Sequence, residues 1–204
     1  MTLPQTREQQ ASETRRKLVD TALQLFSTYG YDGTSMKALA RAAGAAQGLV
    51  YHYFSGKEAL LWAVLETHSF VPDLAELLPR VAELSTREAL VRICREFDAV
   101  LDERRALLRL LVREAPTHAE VARLWQRVIR EGGDHLRHFL EQRVETGELR
   151  PHNPRVVVQM LFFPILMRHI SQEADPETSS FIEEAVGLLL DGLAPDSIAK
   201  EISR

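Results

Sequence analysis

Three consecutive large polar aromatic residues, Tyr51, His52 and Tyr53, end a short helix predicted over about residues 46–53. A helix of this length cannot bury all three in one small core, so at least two of them face outward. Gly48 lies near the start of the same helix, although Gly destabilises a helix by ~1 kcal/mol relative to Ala. Its missing side chain lets another molecule approach the backbone closely. The segment therefore indicates a contact surface, and the alternative is that its aromatic rings pack a small core.

Two earlier helices must position this segment. Apolar residues spaced three and four apart predict a first helix over about residues 12–28, with Gly30 as its left-handed stop. Thr34 or Ser35 can cap a second helix, which Gly44 ends after barely two turns. Three helices with a tight Gly-containing turn between the second and third are the arrangement that places a recognition helix in the major groove of DNA. This geometry alone is ambiguous.

The residue types in this region resemble those of the tetracycline-repressor (TetR) family of bacterial regulators. The resemblance runs from Arg16 to Leu60 and consists of many matches in fixed order, which makes it far more specific than a single helix-turn-helix glycine. The matching residues are Ala22, Leu25, Phe26, Gly30, Thr34, Ser35, Ala40, Ala43, Gly44, Gly48, Tyr51, Tyr53, Phe54, Lys57, Glu58 and Leu60.

The resemblance implies a division of roles among these side chains. Gln47, Leu49 and Tyr51 would meet bases, where Gln can bond adenine and Leu can touch a thymine methyl group. Phosphate would be met by Lys57, at the start of the fourth helix, and by Thr34, His52 and Tyr53. Two departures, Ala46 and Gly56, each remove a hydroxyl that the family often has. The predicted DNA-binding set is Thr34, Ser35, Gln47, Gly48, Leu49, Tyr51, His52, Tyr53 and Lys57.

The remainder of the chain also shows only helical periodicity, with no strand candidate, so the predicted fold class is all-α. A Ser-x-x-Glu capping box at Ser55 opens a fourth helix that ends near Pro72. Asn153-Pro154 and Asp175-Pro176 each supply an N-cap followed by proline at the first helical position. Pro79 should interrupt one helix and Pro164 should kink another. The later helices are predicted at about 74–83, 86–102, 104–115, 119–146, 154–173 and 177–193.

The predicted organisation is an N-terminal helix-turn-helix domain, residues 1–55, followed by a helical ligand-binding and dimerisation domain, residues 56–204. Bulky apolar side chains and a few polar groups supply the candidate ligand-binding residues of the second domain. They are Trp62, His68, Phe70, Phe97, Arg113, His118, Trp125, Met160, Phe163 and Met167, with Arg168 as a further polar group. We expect most of these to be plain core, since spacing cannot show which of them line a cavity.

The last two helices are too apolar to remain exposed, and by resemblance they form a four-helix dimer interface. Their apolar residues are Val157, Met160, Leu161 and Ile165 on one helix, and Phe181, Ile182, Ala185, Leu188, Leu189 and Leu193 on the other. The sequence therefore predicts a homodimer.

Several other reactive side chains could have either a chemical role or a purely structural one. Glu131, His135 and His138 share one helix face and could hold a divalent metal, but Gly132-Gly133 makes a poor rigid setting, so a solvated or interface face is favoured. Cys94 lies in an apolar stripe, where a thiol is usually inert core. The sequence has no repeated Glu-x-x-His pair, no Gly-x-Ser-x-Gly and no phosphate-binding glycine loop. We therefore expect no enzyme activity, no metal and no cofactor.

Charge and composition are consistent with this interpretation. The net charge is −4, but residues 1–60 hold seven Lys and Arg against five Asp and Glu, while the remainder holds 18 against 24. A basic head on an acidic body suits a protein that touches phosphate at one end. The polar N-terminus, the single cysteine and the lack of roughly 18 consecutive apolar residues favour a cytoplasmic protein without a membrane span.

The sequence thus predicts a ligand-responsive transcription regulator, most simply a repressor, with an operator in double-stranded DNA and a small-molecule inducer as partners. The competing hypothesis is a helical protein that sequesters a ligand or binds a partner and has lost DNA recognition. Retention of Gly48, Tyr51 and Lys57 argues against that alternative, which would not need them.

Overall fold

The computed structural model describes residues 6–171 and 178–192, without the side chains of residues 178 and 179. All regular elements in these ranges are α-helices, which confirms the all-α prediction. The helices are α1 (Arg7–Gly33), α2 (Met36–Ala43), α3 (Gln47–Tyr53), α4 (Lys57–His68), α5 (Val71–Val81), α6 (Thr86–Glu103), α7 (Arg105–Glu114), α8 (Ala119–Glu145), α9 (Pro154–Ser171) and α10 (Thr178–Asp191).

Helix α1 is longer than predicted at both ends. A capping box forms at its N-terminus, where the Thr6 hydroxyl accepts from Gln9 N–H and the Gln9 side chain accepts from Thr6 N–H. This Thr-x-x-Gln pattern was readable in the sequence. Gly30 has φ +82° and ψ 171°, so it kinks the helix instead of ending it, and a short helical segment continues to Gly33.

Two other local predictions have opposite outcomes. Asn153 caps α9, because its Oδ1 accepts from the N–H of Arg155 and Pro154 is the first helical residue, as predicted. The predicted capping box at Ser55 is wrong. The N-cap of α4 is Gly56, in extended conformation and without a side-chain hydrogen bond, because the helix begins one residue later than that capping box requires. The Asp175-Pro176 prediction and Leu193 lie outside the described residues.

Helices α5 and α9 both contain prolines. Helix α4 ends at His68, and α5 already begins at Val71 with Pro72 in its first turn, a position that needs no backbone donor. Helix α5 continues through Pro79 instead of stopping there. Helix α9 runs through Pro164 as one element, and the kink expected there stays a prediction.

The chain divides into two compact units, which do not follow the predicted boundary at residue 55. The first unit combines the chain up to Ser69 with Arg104–Val128, because α1 packs against α2, α4 and α7. Its fully buried side chains include Leu18 and Phe26 of α1, Leu39 of α2, Leu61 of α4 and Leu110 of α7.

The second unit combines Phe70–Glu103 with the chain from Ile129 onward. Helix α6 packs against α5, α9 and α10 there. Cys94 lies in the hydrophobic core of this unit, as predicted, and burial raises the pKa of its thiol to about 12. None of the described helices is both long enough and apolar enough to cross a membrane.

Candidate nucleic-acid interface

The turn between α2 and α3 presents α3 with most of its side chains outward. The Ser35 hydroxyl caps α2 by accepting from Ala38 N–H at 3.1 Å, and Gly44 ends α2 in the left-handed conformation at φ +65°. Only Val50 of α3 is fully buried. Val50 anchors α3 to the rest of the first unit, and the opposite face of the helix is exposed.

The free face of α3 consists of residues predicted to contact DNA. Leu49 is 39% exposed and Tyr51 49% exposed. Tyr53 is half-buried and Phe54 is buried, so the core role applies to Phe54 and not to Tyr51. The exposed residues of this face are Gln47, Gly48, Leu49, Tyr51 and His52.

Gly48 is not required by the packing of this unit. A Cβ atom built on it would meet no other atom within 4 Å, and the residue lies inside a helix, where Ala is more stable. The protein's own fold therefore gives no reason for glycine at this position. Close approach by an outside molecule remains a physical reason for it.

Thr34 must be removed from the predicted contact set. Its side chain is only 2% exposed, and its hydroxyl donates to the Gly30 carbonyl oxygen at 2.9 Å. The hydroxyl thus holds the turn after the α1 kink and is not available to a phosphate.

Lys57, at the first position of α4, lies over the kinked end of α1. Its Nζ is 4.3 Å from the centre of the Tyr31 ring and 3.8 Å from Asp32 Oδ1. The Tyr31 hydroxyl donates to Glu120 Oε2 at 2.8 Å, and burial followed by this hydrogen bond raises the pKa of Tyr31. The ring is thereby fixed beneath the lysine.

The same end of α1 contacts the corner between α7 and α8, which we call the α7–α8 corner (residues 113–120). His118 Nε2 lies 2.9 Å from Asp32 Oδ2, and its Nδ1 lies 3.2 Å from Glu114 Oε2. The bond to Asp32 is the main cause that raises the pKa of His118 and lowers the pKa of Asp32. Sequence spacing did not predict this network, since its partners lie 86 residues apart.

Arg113 and His118 were predicted to bind ligand, and the structure gives both a different role. The Arg113 guanidinium donates to the carbonyl oxygens of Phe26 and Ser27, at 2.8 and 3.3 Å, and to Glu114 Oε1 at 2.7 Å. It thus satisfies carbonyl groups just before the α1 kink. Both side chains are engaged in holding α1, so we remove them from the ligand set.

Two other candidates in the first unit, Trp62 and His68, have partners of their own. The Arg127 guanidinium lies 3.9 Å over the Trp62 ring, and His68 Nε2 lies 3.0 Å from Asp20 Oδ1. Burial is the main cause that lowers the pKa of His68. Trp125 is half-buried.

In the second unit, some of the predicted ligand-binding residues pack in an aromatic cluster and others lie on the surface. Phe70 and Phe97 pack together at 5.1 Å between ring centres, and Phe162, which sequence reasoning missed, joins Phe97 at 4.9 Å. Met160 and Phe163 instead lie on the surface, 58% and 60% exposed. Their exposure places them outside the aromatic cluster, and their assignment as ligand-binding residues stays a prediction.

The predicted dimer face of α9 also needs correction. Val157, Leu161 and Ile165 are buried in the core of their own unit, at most 4% exposed, and so is Ile182 of α10. The exposed large apolar residues of α9 and α10 are Met160 and Leu188, both already in the predicted set, and Val156 and Phe163. Sequence periodicity identified an apolar helix but not which of its two apolar faces packs inward.

A groove of about 800 Å³ runs between α5 and α8. Its lining includes Leu78 and Pro79 on one side and His135, His138 and Phe139 on the other, and none of the ten predicted ligand-binding residues. Both histidines are exposed, and His138 Nε2 lies 3.3 Å from Gln142 Nε2. Over the described ranges, no group of three His, Cys, Asp or Glu side chains is placed to hold a metal ion.

Family comparisons agree with this geometry. Residues 18–64 match the family model of bacterial regulatory proteins of the tetR family, and residues 82–189 match the model of the tetracyclin repressor-like C-terminal domain. The chain belongs to the TetR family. The first match begins within α1 and ends within α4. The second covers the described residues from α6 to all but the last two residues of α10.

Two curated TetR-family relatives each match about half of the chain. One is the transcriptional repressor Rv1474c of Mycobacterium tuberculosis, 30% identical over 101 residues, which are 50% of this chain and 49% of that protein. Another is the regulator AcrR of Shigella flexneri, 34% identical over 106 residues, 50% of this chain and 48% of that protein. The chain thus spans about half the length of these relatives.

Solved TetR-family structures share the fold at low identity. The regulator FadR of Bacillus subtilis, in complex with stearoyl-CoA, is 19% identical with a TM-score of 0.71 over 87% of this chain and 98% of that one. The flavonoid-responsive regulator FrrA is 24% identical with a TM-score of 0.72 over 91% and 100%. A regulator from Syntrophomonas wolfei reaches a TM-score of 0.78 at 18% identity, over 89% and 97%.

Proposed function

We propose that this TetR-family chain is a homodimeric transcriptional repressor of the cytoplasm, which binds operator DNA and releases it when a small, mainly apolar molecule binds. The observation that carries the proposal is the surface of α3, where Gln47, Leu49 and Tyr51 are exposed around the single buried anchor Val50. A repressor among the relatives supports the sign of regulation.

The proposed contacts divide into base-reading and phosphate-binding groups. Gln47, Leu49 and Tyr51 read base edges, and Gly48 allows the backbone to come close. Phosphate is bound by the remaining polar residues at the edge of the surface, which are exposed or half-buried and carry a hydrogen-bonding or charged group. These are Ser35, His52, Tyr53 and Lys57.

The dimer forms through the exposed apolar faces of α9 and α10. Val156, Met160 and Phe163 follow one another at four and three residues along α9, so they share one face. Leu188 of α10 is 77% exposed. A second copy of the chain covers such a face, and two recognition helices then reach successive major grooves, ~34 Å apart.

The inducer is proposed to be mainly apolar because the second unit offers aromatic surface. Phe70, Phe97 and Phe162 are only partly buried against its core. Two structural neighbours are named for an acyl-CoA ligand and for response to flavonoids, both of which carry large apolar parts. Hundredfold release of DNA requires that the inducer favour the non-binding state by ~2.7 kcal/mol.

Selection of duplexes from a random pool, followed by binding titrations at several salt concentrations, tests the DNA-binding function. We expect the wild type to enrich one operator sequence. Lys57→Ala should weaken binding to all duplexes about equally and lower the slope of log affinity against log salt by about one per protomer, as loss of one phosphate contact does.

Arg80→Ala is the matched control, because Arg80 is an exposed cation on α5 in the other unit, and it should leave affinity and slope unchanged. A loss confined to one operator variant would instead assign Lys57 to base reading. Failure of the wild type to enrich any sequence would favour the alternative of a ligand-sequestering protein.

A further inference from the structure

Asp32 lies between the proposed phosphate contact Lys57 and the side chain of His118 on the α7–α8 corner. We propose that Asp32 is a positioning residue for Lys57, and that the charge of His118 determines how strongly Asp32 opposes the binding of a DNA phosphate. DNA affinity then falls as pH rises and His118 loses its proton. This inference rests on the proposed DNA-binding function.

The geometry gives each Asp32 oxygen a different partner. Oδ1 is 3.8 Å from Lys57 Nζ, and Oδ2 is 2.9 Å from His118 Nε2. Asp32 is 78% exposed in its side chain, and Lys57 is 27% exposed. The carboxylate therefore stands at the surface, next to the cation that the phosphate must approach.

The proton on His118 changes the electrostatics at that point. When His118 is charged, two cations face Asp32. The charge of His118 then offsets that of the carboxylate, and Lys57 is available to a DNA phosphate. When His118 is neutral, Lys57 alone balances Asp32, and an arriving phosphate must compete with a carboxylate for the same cation. The charged state therefore binds phosphate more strongly.

The groups around His118 favour its charged form. Glu114, 8% exposed in its side chain, faces His118 Nδ1 from α7, and Thr117 Oγ1 lies 3.0 Å from the same nitrogen. The hydrogen bond to Asp32 is the largest cause that raises the pKa of His118, so the proton is lost above its ordinary range near 6.5. Other charged or titratable groups packed around the site are Tyr31, Glu58, Arg113, Glu120 and Arg123.

The test is a fluorescence-anisotropy titration of a random-sequence duplex of about 40 base pairs, long enough for two half-sites, at low salt between about pH 6 and pH 8.5. We expect wild-type affinity to fall across this range by about two- to fivefold per protomer, the size expected of an exposed ion pair. His118→Gln should bind as the wild type does at high pH and should lose this part of the pH dependence.

Asp32→Asn separates the proposed route from a direct attraction between His118 and DNA. It should bind at least as tightly as the low-pH wild type and lack the same part of the pH dependence, and the double variant should match Asp32→Asn alone. His135→Gln is the matched control, because His135 is an exposed histidine of α8 in the other unit. The control variant should keep the part of the pH dependence of DNA affinity that His118→Gln loses.

A thermal melt of each variant shows that it folds, and a purely structural role for the pair would change the melting temperature without changing the pH profile of binding. An unchanged pH profile in His118→Gln, or a full profile in Asp32→Asn, overturns the inference. A wild type that binds no duplex at any pH overturns the proposed function instead.

Discussion

At the scale of single residues, Gly30 shows how a backbone conformation and a buried charge depend on each other. Its φ of +82° is one that side chains with a Cβ rarely adopt. An added Cβ would lie 3.0 Å from Glu114 Oε1 and 3.5 Å from an Arg113 nitrogen. Glycine therefore permits both the kink in α1 and the close approach of the α7–α8 corner.

Gly30→Ala should lower the free energy of unfolding by about 1–3 kcal/mol, because it strains the backbone and displaces a buried carboxylate. Urea denaturation followed by circular dichroism measures the change. Gly48→Ala is the control, since its Cβ meets nothing. It should stabilise the fold by up to about 1 kcal/mol and weaken DNA binding. Equal stability of Gly30→Ala and the wild type would contradict this account.

At the scale of helices, α9 has two apolar faces with different destinations. Val157, Leu161 and Ile165 pack into their own unit, whereas Val156, Met160 and Phe163 are exposed. The exposed face is continuous along about two turns of the helix. The first face serves folding, and the second is the face that we propose for dimerisation.

The double variant Phe163→Glu, Leu188→Glu should be monomeric in light scattering coupled to size-exclusion chromatography, because two charges cannot be buried in an apolar interface without large cost. Its circular dichroism should remain helical, since neither residue belongs to the core. Val112→Glu places a charge at an exposed apolar position on α7 and should remain dimeric. A dimer in the double variant would move the interface elsewhere.

At the scale of the whole molecule, sequence order and compact units do not coincide. Helix α7 belongs to the same unit as α1–α4, although α5 and α6 lie between them in the chain. The α7–α8 corner therefore bonds directly to the helix that precedes the helix-turn-helix. A ligand that moves this corner would therefore change the positions of α1 and α4 without contacting α3.

A thermal-shift screen of chemically varied metabolites should find mainly apolar or aromatic compounds, because burial of apolar area contributes ~25 cal/mol per Å². At a concentration one hundred times its Kd, an inducer should raise Tm by about 5–10 °C. The same compounds should release DNA. If the only compounds that do both are highly polar molecules or divalent metal ions, the proposed inducer class is wrong, and the face of His135 and His138 becomes the candidate site.

The amino-acid sequence by itself determined those features of this protein that depend on neighbours within a few residues. The all-helical pattern, the Ser35 cap, the Gly44 stop and the start of α9 at Pro154 follow from local hydrogen bonds and backbone preferences. The outward face of α3 was also predictable, because a two-turn helix carries more large polar side chains than it can bury.

Only the tertiary structure decided which residues meet across the chain. Lys57, Asp32 and His118 come from three separate segments, and Arg113 reaches carbonyl groups in α1 that are 86 and 87 residues away. It also decided that Met160 faces outward while Leu161 faces the core. Helical periodicity shows that a face is apolar, but burial and ion pairing depend on the packing of distant helices, which no local pattern specifies.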